Sequence, residues 1–263
     1  EVLVVRSRTR VDAEAIATGK RLRLIARPGT GVDNIDLAAA NARGIEVVNT
    51  PESLVEAVSE HIFAMMLALA RKLPAADSST RGGSWEKERF IGIELRGKSL
   101  GIVGLGKIGR RVGELASAFG MSVLGYDVVE IEKEVVERMG GRIVDLDPLF
   151  STSDFVTLHV PLLPETRHMV GVRRLSLMKK TSYLINASRG AVIDEVALAK
   201  ALMDGTIAGA ALDVFEREPP GSEILSSPNL VATPHIGGQT AEALEIAISA
   251  VGQKITQFFE NKG

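Results

Sequence analysis

The chain has 263 residues, of which 45% are hydrophobic and 24% charged, so it is long enough for two domains with buried cores. Its formal net charge of −2 excludes a general basic field of the kind that attracts nucleic acid or anionic membranes. It contains no cysteine, which excludes disulfides, thiolate metal sites and cysteine nucleophiles. The longest apolar stretch, residues 62–70, is too short to span a bilayer, and we expect a cytoplasmic protein.

Short apolar runs alternate with helical patterns along most of the chain. Before residue 100 the predicted strands are residues 2–5, 22–26 and 45–49. A long helix is predicted from about Glu52 to Leu73, ending before Pro74. The later predicted strands are residues 100–104, 123–127, 142–144, 155–159, 183–186, 208–213 and 230–233. This alternation is typical of an α/β fold with doubly wound parallel sheets, whose right-handed crossovers cover both faces.

The most informative motif follows the predicted strand at residues 100–104. Gly104-Leu105-Gly106-Lys107-Ile108-Gly109 opens a helical pattern, and Asp127 stands eighteen residues beyond Gly109, at the end of the next strand. In a dinucleotide fold the first glycine allows a tight turn, the second lets the backbone approach a pyrophosphate, and the third lets the helix pack on the sheet. The N–H groups at the start of that helix face the phosphates. The motif therefore predicts a Rossmann nucleotide-binding domain.

Asp127 also distinguishes between the two nicotinamide cofactors. A carboxylate at this position accepts the hydroxyls of the adenosine ribose, whereas it repels a 2′-phosphate. The following residues, Val128-Val129-Glu130, offer no cation to receive that phosphate. We therefore expect NAD rather than NADP.

The position of this motif divides the chain. Because it begins near residue 100, the earlier strands belong to another unit, and the helix at residues 52–73 is the natural bridge between the two. In open parallel sheets the ligand lies outside the carboxyl ends of the strands. Besides the glycine motif and Asp127, the residues at those ends are residues 159–161, 186–189, 213–218 and 233–235.

Four histidines are candidates for a residue that transfers a proton. His61 lies on the bridging helix, where a structural role is expected, and His168 lies in a polar turn that is expected to be solvated. His159 and His235 both end predicted strands. We favour His235, because Ile236-Gly237-Gly238 is a permissive turn that would let the backbone approach a ligand.

A histidine that exchanges a proton with an alcohol needs an acidic partner to orient the ring and stabilise its charged form. Glu218 and Asp213 are both available, and the residues alone do not decide between them. Arg189 follows a predicted strand, where its guanidinium could bind a substrate carboxylate bidentately and polarise the adjacent carbonyl. The structural alternatives are a solvated Glu218 and an Arg189 that caps its own turn. No cluster has the spacing of metal ligands.

Three sequence blocks resemble those of the D-isomer-specific 2-hydroxyacid dehydrogenases. They are Asn186-Ala187-Ser188-Arg189-Gly190, Asp213-Val214-Phe215-Glu216-Arg217-Glu218-Pro219 and Thr233-Pro234-His235-Ile236-Gly237-Gly238. The likeness extends over essentially the whole chain and implies that Arg189 anchors the substrate, Glu218 is the acidic partner and His235 transfers the proton. Beyond the glycine motif and Asp127, it implies cofactor contacts at Thr30, Lys107, Ile108, Val160, Pro161, Ala187, Ser188, Arg189, Asp213, His235, Gly237 and Gly238.

The resemblance also suggests how a substrate is held. Gly29-Thr30-Gly31-Val32-Asp33-Asn34 is similar to the family's loop whose backbone N–H groups hold the substrate carboxylate, with Thr30 near the nicotinamide. Val5-Arg6-Ser7-Arg8-Thr9 resembles a motif of the branch that acts on D-3-phosphoglycerate, in which the arginines reach the phosphate. Two cations on a nearly neutral background suit such an anion. The expected substrate-binding residues are therefore Arg6, Ser7, Arg8, Thr30, Gly31 and Arg189.

The family's architecture implies two domains with the active site in the cleft between them. We expect a Rossmann NAD domain at residues 52–234 and a smaller, flavodoxin-like substrate domain made of residues 1–51 and 235–263. The family's usual chain has one more strand–helix–strand unit before the counterpart of Val2. We therefore expect the native protein to be longer at its N-terminus and the substrate domain to be incomplete in this chain.

These observations predict an NAD-dependent oxidoreductase that interconverts D-3-phosphoglycerate and 3-phosphohydroxypyruvate, a step of serine biosynthesis. The nearest alternative is the same chemistry on glyoxylate or hydroxypyruvate; formate is disfavoured because that branch carries glutamine at the position of Glu218. An NADH-binding, corepressor-like scaffold is an alternative of a different class, since such proteins keep the same three residues. We expect a homodimer or a dimer of dimers, with neither nucleic acid nor a membrane as a partner.

Overall fold

The structure is a computed structural model that describes residues 1–6 and 8–261. Its strands are β1 (Val2–Val4), β2 (Leu24–Arg27), β3 (Glu46–Asn49), β4 (Ser99–Val103), β5 (Ser122–Tyr126), β6 (Gly141–Ile143), β7 (Phe155–Leu158), β8 (Tyr183–Asn186), β9 (Gly209–Leu212) and β10 (Leu230–Ala232). Its α-helices are α1 (Ala13–Thr18), α2 (Leu37–Ala42), α3 (Val55–Ala70), α4 (Leu73–Arg81), α5 (Lys107–Ala118), α6 (Lys133–Arg138), α7 (Leu146–Thr152), α8 (Val172–Leu177), α9 (Glu195–Met203), α10 (Ser222–Leu225) and α11 (Ala241–Asn261). Short 3-10 helices occupy Pro51–Leu54, Lys87–Phe90 and Gly190–Val192.

The larger of two compact units, Val58–Gly237, contains a seven-stranded parallel sheet in the order β10-β9-β8-β7-β4-β5-β6. From β4 the chain runs through β5 and β6 to one edge of the sheet, then returns to β7 and proceeds to the other edge. β4 and β7 therefore flank the topological switch point, and ligands of such sheets bind outside the carboxyl ends of these strands. Every residue of β7 and β9 is buried, as expected where helices cover both faces of a parallel sheet.

The smaller unit, Glu1–Ala57 with Gly238–Gly263, contains a three-stranded parallel sheet in the order β1-β2-β3. Its central strand contributes fully buried Leu24, Ile25 and Ala26. Helices α1 and α2 begin at These caps explain why two short helices form at these places in the chain.

The helix predicted for residues 52–73 is interrupted in the structure. A 3-10 helix at Pro51–Leu54 leads into α3, which ends at Ala70, and Lys72 then adopts a left-handed φ of +53° before α4 begins. The predicted end before Pro74 is therefore wrong. Pro74 lies in the first turn of α4, where its missing N–H has no intrahelical acceptor to lose.

The same segment is long and apolar enough to cross a membrane, judged by length and composition alone. Within the described residues, Pro51–Ala70 is the one helix that passes this test, with a mean hydropathy of 1.5 over its most apolar window. In the fold, 56% of that window is buried, which is the behaviour of a core helix. The residues predicted for its apolar face explain this, because Val58, Ile62, Met66 and Leu69 are all buried.

The α/β class with parallel sheets is confirmed. Each strand predicted from the sequence is present within two residues of its predicted limits. The compact units divide after Ala57 and after Gly237. The assignment of substrate binding to the smaller unit stays a prediction.

Candidate active site

The glycine-rich turn joins β4 to α5 at the switch point. Gly104 has a φ of +96°, and a Cβ placed on it would lie 2.8 Å from the carbonyl oxygen of His159. A Cβ on Gly109 would lie 2.0 Å from the carbonyl oxygen of Gly104. Both positions therefore require glycine because the backbone itself occupies the space. Gly106 differs, since nothing lies within 4 Å of its Cβ position and that side of the turn is open.

The open side of the turn has the chemistry that a pyrophosphate requires. Gly106 is the N-cap of α5, a twelve-residue helix, and provides no side chain to cap it. The first N–H groups of the helix therefore present the positive end of its dipole. Lys107 and Ile108 are the first two residues of this helix. A glycine with open space beside it, at the start of a long helix, fits the phosphates of a dinucleotide.

Asp127 lies just after β5 and is bonded to the same turn. Its Oδ2 accepts a hydrogen bond from the N–H of Leu105 at 2.6 Å, and its Oδ1 accepts one from the N–H of Val128 at 2.7 Å. Each carboxylate oxygen has a further lone pair, so these bonds orient the group without exhausting its capacity to accept. The arrangement fits the predicted contact with ribose hydroxyls.

Two more loops reach the same edge of the sheet. Val160 and Pro161 follow β7, and Cγ1 of Val160 lies 3.1 Å from the Cβ position of Gly104. Ala187 and Ser188 follow β8. Because the carboxyl ends of parallel strands lie along one edge, the fold gathers the predicted cofactor positions of the larger unit on the side of the switch point. Their individual roles stay predictions.

Arg189 lies on a turn that Asn186 holds in place. Asn186 is fully buried; its Oδ1 accepts from the N–H of Ser188 at 3.0 Å and its Nδ2 donates to the carbonyl of Arg189 at 2.9 Å. Nη1 of Arg189 donates to the carbonyl of Ser188 at 2.7 Å. Sequence reasoning assigned no role to Asn186, although an asparagine that ends a strand often forms such a turn.

Gly190 presses this turn against the segment that leads to Glu218. A Cβ on Gly190 would lie 1.9 Å from the carbonyl carbon of Phe215 and 2.4 Å from the backbone nitrogen of Glu216. Only glycine allows two backbones to approach so closely. The loops that carry Arg189 and Glu218 are therefore in direct contact.

His235 is paired with Glu218. Its Nδ1 lies 3.0 Å from each carboxylate oxygen, and the two side chains are 49% and 43% exposed. Because a carboxylate only accepts, Nδ1 carries the hydrogen of this bond, and Nε2 is the ring nitrogen that remains. The residues alone left Glu218 and Asp213 open as the acidic partner. The structure pairs His235 with Glu218.

Asp213 is instead buried beneath the turn that follows β10. It is 1% exposed; its Oδ1 accepts from Thr233 Oγ1 at 2.6 Å and from the N–H of Ile236 at 2.8 Å, and its Oδ2 accepts from the N–H of Gly237 at 2.8 Å. Burial would raise the pKa of Asp213, but the hydrogen bonds from His61, Thr233 and the two N–H groups outweigh burial and lower it. The carboxyl is therefore ionised at neutral pH.

His61 completes this buried group. Its Nε2 lies 3.1 Å from Thr233 Oγ1 and 3.4 Å from Asp213 Oδ1. The sequence predicted a structural role for His61 and none for Thr233. Since 172 residues separate the two, no local pattern could have associated them.

The other two histidines lie elsewhere. Nε2 of His159 lies 3.0 Å from Oγ1 of buried Thr157, and desolvation lowers the pKa of His159 to about 3, so the ring is neutral at physiological pH. His168 is exposed, as predicted, and its Nε2 lies 3.0 Å from Oε1 of Glu216 in an ion pair that the sequence did not predict. Within the described part of the chain, no group of three or more His, Asp or Glu side chains could hold a metal ion.

In the smaller unit, the predicted carboxylate loop is fixed to the end of β3. The N–H of Gly29 donates to Thr50 Oγ1 at 2.9 Å, and Nδ2 of Asn49 donates to the carbonyl of Thr30 at 2.5 Å. Thr30 Oγ1 is buried and has no hydrogen-bond partner among the described residues. Gly31 follows it and is partly exposed.

Arg6 and Arg8 are both exposed, and Ser7, which the sequence predicts to bind substrate with them, lies outside the described residues. Nδ2 of Asn34 donates to the carbonyls of Arg6 at 3.2 Å and Thr9 at 2.6 Å, which anchors the backbone of this segment. Gly238, a predicted cofactor position, also belongs to this unit, where a Cβ would lie 3.1 Å from Cδ1 of Leu54.

The comparison with protein families agrees with this geometry. The model of the D-isomer specific 2-hydroxyacid dehydrogenase, NAD binding domain, matches residues 63–237, which is more than half of the chain. The chain belongs to the D-isomer-specific 2-hydroxyacid dehydrogenase family. The larger unit is therefore the NAD-binding domain of a D-2-hydroxyacid dehydrogenase, and the cofactor predicted from the glycine motif and Asp127 is confirmed as a nicotinamide dinucleotide.

Relatives of this D-2-hydroxyacid dehydrogenase differ in substrate. D-3-phosphoglycerate dehydrogenase of Methanocaldococcus jannaschii is 48% identical over 97% of this chain and 49% of its own, so the chain spans about half the length of that relative. Hydroxypyruvate reductase of Thermotoga maritima is 47% identical over 92% of this chain and 79% of its own. The crystal structure of D-lactate dehydrogenase from Aquifex aeolicus, complexed with NAD and lactic acid, matches 99% of this chain and 83% of its own with a TM-score of 0.89 and 35% identity.

Proposed function

We propose that the protein is a cytoplasmic, NAD-dependent D-2-hydroxyacid dehydrogenase that interconverts D-3-phosphoglycerate and 3-phosphohydroxypyruvate, a step of serine biosynthesis. The observation that carries this proposal is the pairing of His235 with Glu218 at 3.0 Å on an NAD-binding domain. A histidine whose tautomer is set by a carboxylate is the arrangement that proton exchange with an alcohol requires.

The pairing determines which ring nitrogen exchanges the substrate proton. Because Glu218 accepts the hydrogen on Nδ1, neutral His235 has its lone pair on Nε2 and takes the proton of the C2 hydroxyl there. In the reverse direction the charged ring returns this proton to the carbonyl oxygen, and Glu218 stabilises the charge. Bound NAD supplies the two-electron acceptor for C2.

Arg189 has the role of binding the substrate carboxylate and polarising the oxygen on C2. A guanidinium offers parallel N–H donors that match a carboxylate bidentately, which orients the substrate as well as attracting it. The anchoring of its turn by Asn186 supports this role, because a positioned donor loses less freedom when it binds. The backbone N–H groups around Thr30 and Gly31 are assigned to the same carboxylate.

The phosphate is assigned to Arg6, Ser7 and Arg8. Both arginines are exposed, and an anchored segment holds them in a chain of net charge −2. Replacing both with alanine should raise KM for D-3-phosphoglycerate about tenfold or more, with a much smaller effect on unphosphorylated D-glycerate, because charge-assisted bonds to the phosphate are lost. Arg10→Ala is the matched control, an exposed cation beside the motif. Equal effects on the two substrates would identify Arg6 and Arg8 as general steering charges.

Hydroxypyruvate reduction is the second candidate, because the Thermotoga maritima relative is as similar to this chain as the phosphoglycerate dehydrogenase is. An assay of NADH oxidation with 3-phosphohydroxypyruvate, hydroxypyruvate, glyoxylate and pyruvate decides between them by kcat/KM. We expect the phosphorylated substrate to be preferred. NADH binding without turnover of any of these substrates would overturn the enzymatic proposal in favour of a corepressor-like scaffold.

A homodimer is proposed from the exposed apolar side chains that follow α3. Helix α4 buries none of its residues, and Trp85 and Ile91 beyond it are 85% and 74% exposed. Such a concentration of exposed apolar surface is typical of an interface. Light scattering should give twice the mass of one chain, and replacing both Trp85 and Ile91 with aspartate should give the monomer. A monomeric wild-type protein would contradict this.

A further inference from the structure

The backbone of His235 is in an unfavourable conformation. Its φ of +56° lies in the left-handed region, which side chains with a Cβ rarely adopt. This conformation directs the ring towards Glu218, so a relaxation of φ would separate Nδ1 from the carboxylate. Strain of this kind persists only where surrounding contacts determine the conformation.

The carboxylate of Asp213 holds the backbone after His235. Its two oxygens accept from the next two N–H groups, those of Ile236 and Gly237, each at 2.8 Å. The approach is close, since a Cβ on Gly237 would lie 3.0 Å from Asp213 Oδ2. The peptide planes on the C-terminal side of His235 are therefore tied to one buried group.

Thr233 ties the N-terminal side of His235 to the same carboxylate. Its Oγ1 donates to Asp213 Oδ1 at 2.6 Å, and its carbonyl accepts from the N–H of His235 at 3.0 Å. Asp213 thus fastens the chain two residues before His235 and directly after it.

His61 anchors this group to α3 and has a defined tautomer. The single hydroxyl hydrogen of Thr233 is used in the bond to Asp213, so Thr233 Oγ1 can only accept from His61, whose Nε2 lies 3.1 Å away. Nε2 of His61 therefore carries a hydrogen. This is the opposite of His235, whose Nδ1 carries the hydrogen that Glu218 accepts.

We propose that His61, Thr233 and Asp213 form a positioning group that holds His235 in its left-handed conformation against Glu218. None of the three needs to touch the substrate in order to do so. The proposal rests on the proposed function where it concerns turnover, and it is independent of that function where it concerns the conformation and tautomers of the cofactor-free protein.

The test compares variants that keep or remove one hydrogen bond. Thr233→Val has nearly the same shape without the hydroxyl, and Thr233→Ser retains the hydroxyl. His61→Leu removes the donor, and His61→Gln supplies an amide N–H in its place. We expect the Val and Leu variants to lose about tenfold or more in kcat with little change in KM, and the Ser and Gln variants to remain near wild type.

Nitrogen NMR of the imidazole rings supplies a readout that does not need turnover. In the wild type at a pH where both rings are neutral, His61 should be the Nε2–H tautomer and His235 the Nδ1–H tautomer. Thr233→Val should shift the Nδ1–H signal of His235 away from its hydrogen-bonded position. Equal kcat for the Val and Ser variants, or His61 as the Nδ1–H tautomer, would overturn the positioning group. If the wild type reduces no 2-oxo acid, the proposed function fails, and the NMR result still decides whether this group exists.

Discussion

The nucleotide-binding turn and the His235 turn lie on the same NAD-binding unit, but they are built in different ways. The first is contiguous and consists of backbone, with three glycines within six residues and one nearby carboxylate. The second is assembled from side chains that lie on α3, after β9 and after β10, namely His61, Asp213, Glu218 and Thr233.

The difference follows from the kind of interaction each region uses. A glycine acts through its own φ and its missing Cβ, so its effect is local to the chain. An oriented imidazole needs an acceptor, and the acceptor needs donors, each of which comes from another element. A contiguous motif therefore describes the first region fully and the second only in part. The predictions below test this contrast, from the largest expected effect to the smallest.

The largest effect should come from the side-chain region. His235→Asn should lower turnover about 10²-fold or more and leave the affinity for NADH nearly unchanged, because it removes proton transfer and leaves the nucleotide turn intact. Steady-state kinetics and calorimetric titration with NADH measure the two quantities. His159→Asn is the control and should do much less. If His159→Asn proves the more damaging, the assignment of His235 is wrong.

The glycines of the nucleotide turn should separate stability from binding. Gly109→Ala places a Cβ 2.0 Å from a backbone oxygen and should lower the free energy of unfolding by about 1–3 kcal/mol, since the helix must move off the sheet. Gly106→Ala meets open space and should cost less than about 1 kcal/mol. Its Kd for NADH should nevertheless rise strongly, because the Cβ obstructs the approach of the pyrophosphate. Urea unfolding and titration check both, and equal losses of stability would remove the contrast.

The charge of Asp127 should set the preference for NADH over NADPH. Asp127→Asn keeps an oxygen that accepts from Val128 and removes the negative charge, so NADPH should gain about tenfold or more in relative kcat/KM. Asp127→Glu is the matched control and should retain the preference. Equal use of both cofactors by the wild type would contradict the role given to this carboxylate.

The smallest effect should appear in the pH dependence of stability. The pKa of His159 is lowered to about 3 by desolvation, so between this value and the ordinary value of 6.5 the unfolded chain binds a proton that the folded chain does not. Stability should therefore fall as pH decreases below about 6.5, by up to about 1.4 kcal/mol per pH unit from this residue. Urea unfolding at pH 7.5 and 5.5 should show a smaller loss for His159→Gln. Identical losses would mean that His159 takes up its proton in the folded state.

Much of the fold could be predicted because its signals are local. Apolar runs of strand length, each followed by a helical pattern, located the strands of both sheets. The end of the helix near residue 73 was wrong for a physical reason: Pro74 is unfavourable inside a helix but acceptable in the first turn of a new one, and the sequence pattern is the same in both cases.

The candidate site divides along the same line. The glycine motif, Asp127, Arg189, Glu218 and His235 could be named from the sequence, the last three through blocks that resemble a known family. The choice of Glu218 over Asp213 as the partner of His235 depended on the path of the chain after β9, which places one carboxylate at the exposed ring and buries the other.

By itself, the sequence determined the α/β class, the nucleotide turn and the residues that carry the proposed chemistry, because backbone geometry and strand patterning depend on neighbours in the chain. Only the tertiary structure decided which acid orients His235, and that His61, Thr233 and Asp213 lie together behind it. Those contacts join residues far apart in the chain, and a hydrogen bond between side chains leaves no periodic mark in the sequence around either partner.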